Sequence, residues 1–128
     1  MAQFGLPISK LGITRMSAVS PLGDGLTVIN VFTVSPENQV RLVELLTRAT
    51  ESTVRHVPGF ISATLHQSLD GVKVTMYAKW RSWDDYQRMR VNTTASPFLT
   101  EALTFSSFEP GFYRVVKVFS AAGEKSDA

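Results

Sequence analysis

The chain of 128 residues contains no cysteine, and this absence removes several classes of chemistry at once. Disulfide bonds, thiolate metal sites and cysteine nucleophiles are all excluded. A protein without cysteine is compatible with a reducing compartment, and we expect a cytoplasmic protein.

The chain also lacks an excess of charge of either sign and any long hydrophobic run. Its net charge is +2, acidic and basic residues are interspersed, and no Lys/Arg stripe follows any segment. This distribution does not favour nucleic acid as a partner. No window approaches the roughly 18 apolar residues of a membrane span. Glycine and proline interrupt the first 15 residues, so no signal peptide is predicted and we expect no membrane partner.

The sequence does contain enough apolar residues for one folded domain. Hydrophobic residues make up 44% of the chain, which is ordinary for a globular protein. Residues 1–25 hold four glycines and two prolines without periodicity, which predicts an irregular arm. The polar end of the chain predicts a flexible tail over 121–128. The domain is therefore expected over 26–120.

The first strand and the first helix are predicted next to each other. β-Branched residues indicate a strand over 26–34. Ser35 and Pro36 follow as an N-cap and a proline at the first helical position, and the helix is expected to reach about residue 56. Apolar residues at helical spacing predict its buried stripe, which consists of Leu42, Leu45, Leu46, Ala49 and Thr53.

A hairpin is predicted after this helix. Asp70 and Gly71 are typical of a two-residue type I′ turn, here between strands over 60–68 and 72–80. Counting outwards from the turn pairs Leu65 with Met76, Ala63 with Ala78 and Ile61 with Trp80. Since side chains alternate along a strand, these residues form an apolar face that should lie under the helices. On the same count, His66 points away from that face.

Two short helices and a final strand complete the pattern. Ser82, with Asp85 three residues later, resembles a capping box, and Ser96 begins the second short helix. A turn at Pro110 and Gly111 is predicted before a last strand over 112–120.

The resulting order, β-α-β-β-(α-α)-β, predicts an α+β fold of the ferredoxin-like split βαβ type. A four-stranded antiparallel sheet would carry helices on one face and leave the other face open. Because an uncovered sheet face is a large surface to leave in water, we expect a homodimer through this open face.

Two segments, V-P-G-F-I-S-A-T-L-H-Q-S-L-D-G and Y-A-K-W-R-S-W-D-D-Y, resemble the antibiotic biosynthesis monooxygenase family. The resemblance covers roughly residues 26–119 and implies a dimeric α+β barrel. Polyketide-tailoring members oxidise phenolic polycyclic rings to quinones with O2 and need neither metal nor flavin. The resemblance therefore implies a monooxygenase that uses O2 and no cofactor, and that oxidises a small aromatic substrate, either a polycyclic anthrone- or phenol-type polyketide or a quinol, to a quinone. Related haem-degrading enzymes add a histidine ligand after the tryptophan, and residues 88–104 contain no histidine.

The resemblance also implies roles for individual residues. Family members usually read V-(V)-N-Y-A-Q-W in the third strand, with the asparagine and the tryptophan facing the pocket. Trp80 matches the tryptophan and Tyr86 a pocket tyrosine, but Met76 replaces the asparagine. Some members carry an asparagine in the first strand, where Asn30 lies. The implied catalytic residues are Asn30, Trp80 and Tyr86, and the implied substrate-binding walls are Phe32, Phe60, Met76, Phe98 and Leu99.

Other interpretations of the same residues stay open. A tryptophan beneath helices is also typical of an ordinary core, and an asparagine in a strand can be satisfied by neighbouring backbone. Arg88 and Arg90 could neutralise a phenolate at the pocket mouth or be solvated helix charges. The alternatives to a monooxygenase are a polyketide cyclase, dehydratase or isomerase, and a non-catalytic dimeric binding or accessory protein.

Overall fold

A computed structural model of the chain describes residues 25–93 and 96–123. The predicted arm over 1–25 lies outside the described residues except for Gly25, and the predicted tail is described only over 121–123. The strands are β1 (Leu26–Val34), β2 (Phe60–Gln67), β3 (Lys73–Trp80) and β4 (Ser106–Tyr113), and the helices are α1 (Gln39–Ser52), α2 (Trp83–Thr93) and α3 (Pro97–Ala102). No helix among the described residues is both long and apolar enough to cross a membrane.

The strands form one antiparallel sheet in the order β2-β3-β1-β4. This confirms the predicted ferredoxin-like α+β fold with helices on one face. Two hydrophobic clusters lie between sheet and helices. The closed cluster contains Phe32, Val34, Leu42, Leu45, Leu46, Val74, Leu99, Ala102 and Phe108. The cleft cluster contains Leu26, Val28, Val57, Ala78, Trp80, Tyr86 and Met89.

Helix α1 buries the predicted stripe but begins differently from the prediction. Four of the five predicted residues are buried, and Thr53 is half-buried where the helix ends. The first turn, Pro36–Asn38, is a 3-10 helix, and the Ser35 side chain caps no backbone N–H. The Ser35 hydroxyl instead accepts a hydrogen bond from the side-chain amide of Asn38 at 3.2 Å. A second 3-10 turn, Val54–His56, follows the helix.

The β2–β3 hairpin keeps the predicted register but not the predicted turn. Among the described residues only glycines have positive φ, so Asp70 cannot occupy a type I′ turn, which needs positive φ at both central positions. The loop has four residues and closes with a 2.9 Å hydrogen bond from Ser68 N to Lys73 O. Gly71, with φ of 86°, supplies the left-handed residue. The register is as predicted because the expected two-residue loop and the observed four-residue loop both place Ser68 opposite Lys73.

A bulge corrects the start of β2. The pairing shifts between Phe60 and Ser62, so Phe60 rather than Ile61 lies opposite Trp80. The extra residue reverses the alternation of side chains at this point. Ile61 is consequently 59% exposed, and the prediction that it joins the buried face is wrong.

The last strand lies earlier in the chain than predicted. Strand β4 includes Pro110 and Gly111, which were expected to form a turn, and residues 114–120 lie outside the sheet. Proline is tolerated here because β4 is an edge strand that pairs only with β1. Phe108 anchors β4 by stacking on Phe32 with ring centroids 4.9 Å apart.

The caps of the two short helices are as predicted. The Ser82 hydroxyl accepts from Asp85 N at 3.2 Å, and the Ser96 hydroxyl accepts from Leu99 N at 3.4 Å. These caps fix where α2 and α3 begin over the sheet, and therefore which of their side chains reach the cleft described next.

Candidate functional site

A cleft lies between the sheet and the helices, with about 70 Å³ of space open to the centres of water-sized molecules. Its walls are mainly apolar, as in sites that bind small organic ligands. The sheet contributes Val28, Asn30, Phe32, Phe60, Ala63, Met76, Ala78 and Trp80. The helices and their connections contribute Leu46, Ala49, Thr50, Val54, Tyr86, Met89, Ser96 and Leu99.

Seven of the eight residues that the sequence indicated for the site line this cleft, and Phe98 does not. Phe98 and Leu99 are neighbours on α3, so their side chains leave the helix about 100° apart. Leu99 faces the cleft, whereas Phe98 packs beside the closed cluster with the guanidinium of Arg48 5.9 Å from its ring centroid. His66 is exposed, as expected from the register.

Trp80 belongs to an aromatic group in the cleft wall. It is 1% exposed, and its ring meets Phe60 and Tyr86 edge to face at centroid distances of 5.4 and 5.9 Å. Tyr86 in turn contacts Phe112 at 5.3 Å. These edge-to-face contacts hold the rings of Phe60 and Tyr86 against the indole.

The hydroxyl of Tyr86 is neutral over the physiological pH range. Burial raises the pKa of Tyr86 to about 12, while the positive charge of nearby Arg90 acts in the opposite direction. At neutral pH this group therefore donates a hydrogen bond and cannot serve as a base. Arg90 is itself buried and is not a solvated helix charge, whereas Arg88 is exposed.

Asn30 carries a buried side-chain oxygen, Oδ1, that has no hydrogen-bond partner. It is the one such buried side-chain atom in the described part of the chain. Its neighbours across the sheet are Met76 on β3 and Pro110 on β4, and neither side chain offers a hydrogen-bond donor. An unsatisfied buried acceptor costs about 1–3 kcal/mol, so a donor from a ligand would remove a penalty that the free protein bears.

The pairing of Asn30 with Met76 bears on the substitution seen in the sequence. The two residues are directly opposite each other on β1 and β3, and both line the cleft. Residues opposite each other in adjacent strands have Cβ atoms about 5 Å apart. An amide on β1 thus lies one strand away from the position of the usual family asparagine.

Sequence reasoning did not assign several of the lining residues to the site. Thr50 and Ser96 are the polar ones, and each already has a partner: the Thr50 hydroxyl donates to Leu46 O at 2.8 Å, and the Ser96 hydroxyl accepts from Leu99. Helical spacing predicted that Leu46 and Ala49 are buried, but only the packing shows that these two residues also border the cleft. Within residues 25–93 and 96–123, no group of three or more His, Asp or Glu side chains converges as a metal site would.

The family model described as antibiotic biosynthesis monooxygenase matches residues 25–94. The chain belongs to this family. It is 41% identical over 106 residues to the tetracenomycin-F1 monooxygenase of Streptomyces glaucescens, a match that covers 83% of this chain and 95% of that protein. The family assignment confirms the resemblance and makes the protein a monooxygenase, an enzyme of the oxidoreductase class.

Solved structures agree with this assignment. A monooxygenase from the gene ActVA-Orf6 of Streptomyces coelicolor, in complex with nanaomycin D, is 34% identical with a TM-score of 0.55, and the match covers 75% of this chain and 93% of that one. SnoaB, a cofactor-independent oxygenase from Streptomyces nogalater, has a TM-score of 0.67 at 23% identity, covering 75% and 97% of the two chains. At that identity SnoaB supports the fold alone.

Proposed function

We propose that this protein is a cofactor-independent monooxygenase that oxidises a phenolic polycyclic compound of the anthrone type to a quinone with O2. The observation that carries the proposal is the unpartnered oxygen of Asn30 in a mainly apolar cleft, because a buried acceptor without a partner favours a ligand that brings a hydroxyl donor. The names of two relatives support the same class of reaction. One is a tetracenomycin-F1 monooxygenase, and the other is a monooxygenase whose structure was solved in complex with nanaomycin D.

The reaction balances without an external reductant. An anthrone loses a proton from its reactive methylene carbon, and the resulting enolate forms a carbon–oxygen bond with O2. The peroxide then takes up a proton, its O–O bond breaks as the second methylene proton leaves, and a quinone and one water are formed. The carbon loses four electrons and O2 gains them, so the protein must position the ring and stabilise negative oxygen.

Three side chains would perform this stabilisation. Asn30 Oδ1 accepts a hydrogen bond from a phenolic hydroxyl of the substrate and orients the ring, while the N–H group of the same amide donates to the adjacent substrate oxygen that becomes the enolate. The indole N–H of Trp80 and the neutral hydroxyl of Tyr86 donate to the developing negative charge. Apolar walls exclude bulk water and strengthen each of these hydrogen bonds.

The direct test is turnover without any added group. The purified protein, treated with a chelator and free of flavin absorbance, should convert an anthrone to its quinone in air, with uptake of one O2 per quinone. Conversion should stop under argon. A rate equal to that of buffer for several anthrones and quinols would overturn the proposal, and an altered product formed under argon would indicate a cyclase, dehydratase or isomerase instead.

We also propose that the protein acts as a homodimer through the open sheet face. The strongest support is the segment over 114–120, which follows β4 and exposes Val116, Val118 and Phe119 by 70%, 48% and 84%. Strand β2 forms the opposite edge of the sheet within residues 25–93 and 96–123, and it contains no proline and no Lys, Arg, Asp or Glu that would protect this edge. A second copy would cover both features.

Light scattering at several concentrations tests the dimer. Truncation after Tyr113 removes the exposed segment and should shift the protein towards monomer. Truncation after Ala122 keeps that segment and should leave the protein dimeric. A wild-type protein that stays monomeric at the highest concentration used for activity would contradict the proposal.

A further inference from the structure

The carboxylate of Asp85 lies outside the cleft, yet four hydrogen bonds and ion pairs converge on it. Arg81 binds it through Nε at 2.7 Å and through its terminal amino group at 3.0 Å. The Ser82 hydroxyl donates at 2.9 Å, and Arg88 contributes an ion pair at 3.1 Å. The Asp85 side chain is only 2% exposed, whereas the two arginines are more than half exposed. The carboxylate is therefore the fixed centre of the group.

The first element that packs on Asp85 is the turn before β2. Gly59, with φ of 96°, lies so close that a Cβ added there would come within 2.3 Å of the Asp85 Cβ and Cγ atoms. The carbonyl of Gly59 accepts from Arg81 N at 2.7 Å. The residue after this turn is Phe60, which enters the cleft wall through the bulge. Asp85 thus sets how closely the turn that carries Phe60 approaches α2.

The second element is the first turn of α2. Asp85 N donates to the hydroxyl of Ser82, and the Asp85 carboxylate accepts from the same hydroxyl. Asp85 therefore holds the capping residue through both its backbone and its side chain. The next residue along this helix is Tyr86, which lines the cleft. Asp85 therefore contacts both segments whose rings pack on Trp80.

From this arrangement we infer that Asp85, held by Arg81, is a positioning residue that sets the spacing of Phe60 and Tyr86 about Trp80. Its role at the site rests on the proposed function, because the cleft is taken as the place where a planar ring binds. The hydrogen bonds from Arg81 hold the pKa of Asp85 below its ordinary value, so the carboxylate is ionised at neutral pH and both contacts to Arg81 are charge-assisted.

The first experiment reads out Trp80 itself and needs no ligand. The chain has two tryptophans, so Trp83→Phe leaves Trp80 as the single tryptophan, which is excited at wavelengths where the three tyrosines do not absorb. In this background Asp85→Asn should shift the Trp80 emission to longer wavelength and raise its acrylamide quenching constant about twofold. Arg81→Gln keeps the Ser82 cap and should give the same changes at smaller size, which protects the test if Asp85→Asn folds poorly.

A matched control separates positioning from general stability. Gln39 is a buried polar residue whose amide donates to Ser68 O and Lys73 O at 3.0 Å each, and it does not line the cleft. Gln39→Ala should lower the melting temperature but leave Trp80 quenching unchanged. If Asp85→Asn and Gln39→Ala lower the melting temperature and leave quenching equally unaffected, the inference is wrong.

Binding and turnover extend the test to the cleft. The soluble probe anthraquinone-2-sulfonate should bind about tenfold more weakly to Asp85→Asn than to the parent. Asp85→Glu keeps the charge but, with its longer side chain against Gly59, should not restore binding; full restoration would show that only the charge matters and would overturn the inference. Absence of anthrone oxidation by the parent would refute the proposed function and leave the quenching result to decide the role of Asp85.

Discussion

The closed cluster and the cleft cluster lie side by side under one sheet, and they differ in what their side chains carry. The closed cluster consists of aliphatic residues and phenylalanines, without a polar side-chain atom. The cleft cluster includes Trp80 and Tyr86, whose rings end in an N–H and an O–H group. Asn30 lies between Val28 of the cleft cluster and Phe32 of the closed cluster on the same face of β1.

The difference indicates that the two ends of β1 have different roles. Side chains that only need to exclude water make up one end of β1, and side chains that also present hydrogen-bonding groups surround the other. A substitution in the part of the closed cluster that does not line the cleft should therefore act on stability, and a substitution at the cleft should act on ligand binding and turnover.

The largest expected effect is on stability, from Leu42→Ala. Leu42 is 0% exposed in the closed cluster, and removal of a fully buried leucine side chain costs about 2–5 kcal/mol. Urea denaturation should show this loss, while the folded variant binds anthraquinone-2-sulfonate as the parent does. Val40→Ala, at a 66% exposed position of α1, is the control and should change stability by less than about 0.5 kcal/mol. A large loss of affinity in Leu42→Ala would contradict the separation between residues that stabilise the fold and residues that bind the ligand.

The largest effect on turnover should come from Trp80→Phe. The substitution keeps an aromatic ring beside Phe60 and Tyr86 but removes the indole N–H. Loss of one donor to a developing oxyanion lowers kcat by about 100-fold or more. Steady-state oxidation of an anthrone measures this change, and near-UV circular dichroism checks that the aromatic group survives. A kcat within threefold of the parent would assign Trp80 to the core alone.

A pH-dependent effect of intermediate size is expected from Tyr86. Its folded pKa, about 12, exceeds the ordinary value near 10, so the unfolded chain loses this proton first as the pH rises. The free energy of unfolding should fall between pH 10 and 12, by on the order of 2 kcal/mol from this group. Tyr86→Phe should remove that part of the fall and leave stability below pH 9 nearly unchanged. Parallel pH profiles for the two proteins would contradict the assignment.

The smallest expected effect is that of Met76→Leu. Met76 lines the cleft opposite Asn30 but offers no useful hydrogen bond, and a volume-conserving apolar exchange costs less than about 1.5 kcal/mol. Both kcat and the unfolding free energy should stay close to those of the parent. A strong loss of turnover would show that the sulfur or the shape of Met76 takes part in the reaction.

Sequence reasoning reached the order of elements, the sheet type and the register of the hairpin, because these follow from alternation and from turn residues. It missed features that depend on packing. The bulge at Ile61 leaves no mark in the sequence, and the pattern F-Y-R-V-V-K-V-F-S predicts a strand that finds no partner within the sheet of one chain. Pro110 is tolerated only because β4 lies at an edge.

The site was predicted in a similarly uneven way. Resemblance pointed to Trp80, Tyr86 and Asn30, and all three line the cleft, but their roles remain proposals. Phe98 was expected to line the cleft, but it packs beside the closed cluster. The sequence of a six-residue helix does not fix which of its side chains face the cleft. The convergence on Asp85 was beyond the sequence as well, since it depends on a glycine turn 26 positions earlier.

Asn30→Leu tests whether the unpaired oxygen of Asn30 serves the substrate. Removal of a buried unsatisfied acceptor should raise the unfolding free energy by about 1 kcal/mol, whereas anthrone oxidation should fall at least 100-fold. Paired urea denaturation and O2-uptake measurements on the same preparation give both values. A variant that is more stable and inactive is the predicted result; a variant that is less stable, or one that keeps its activity, would contradict the account.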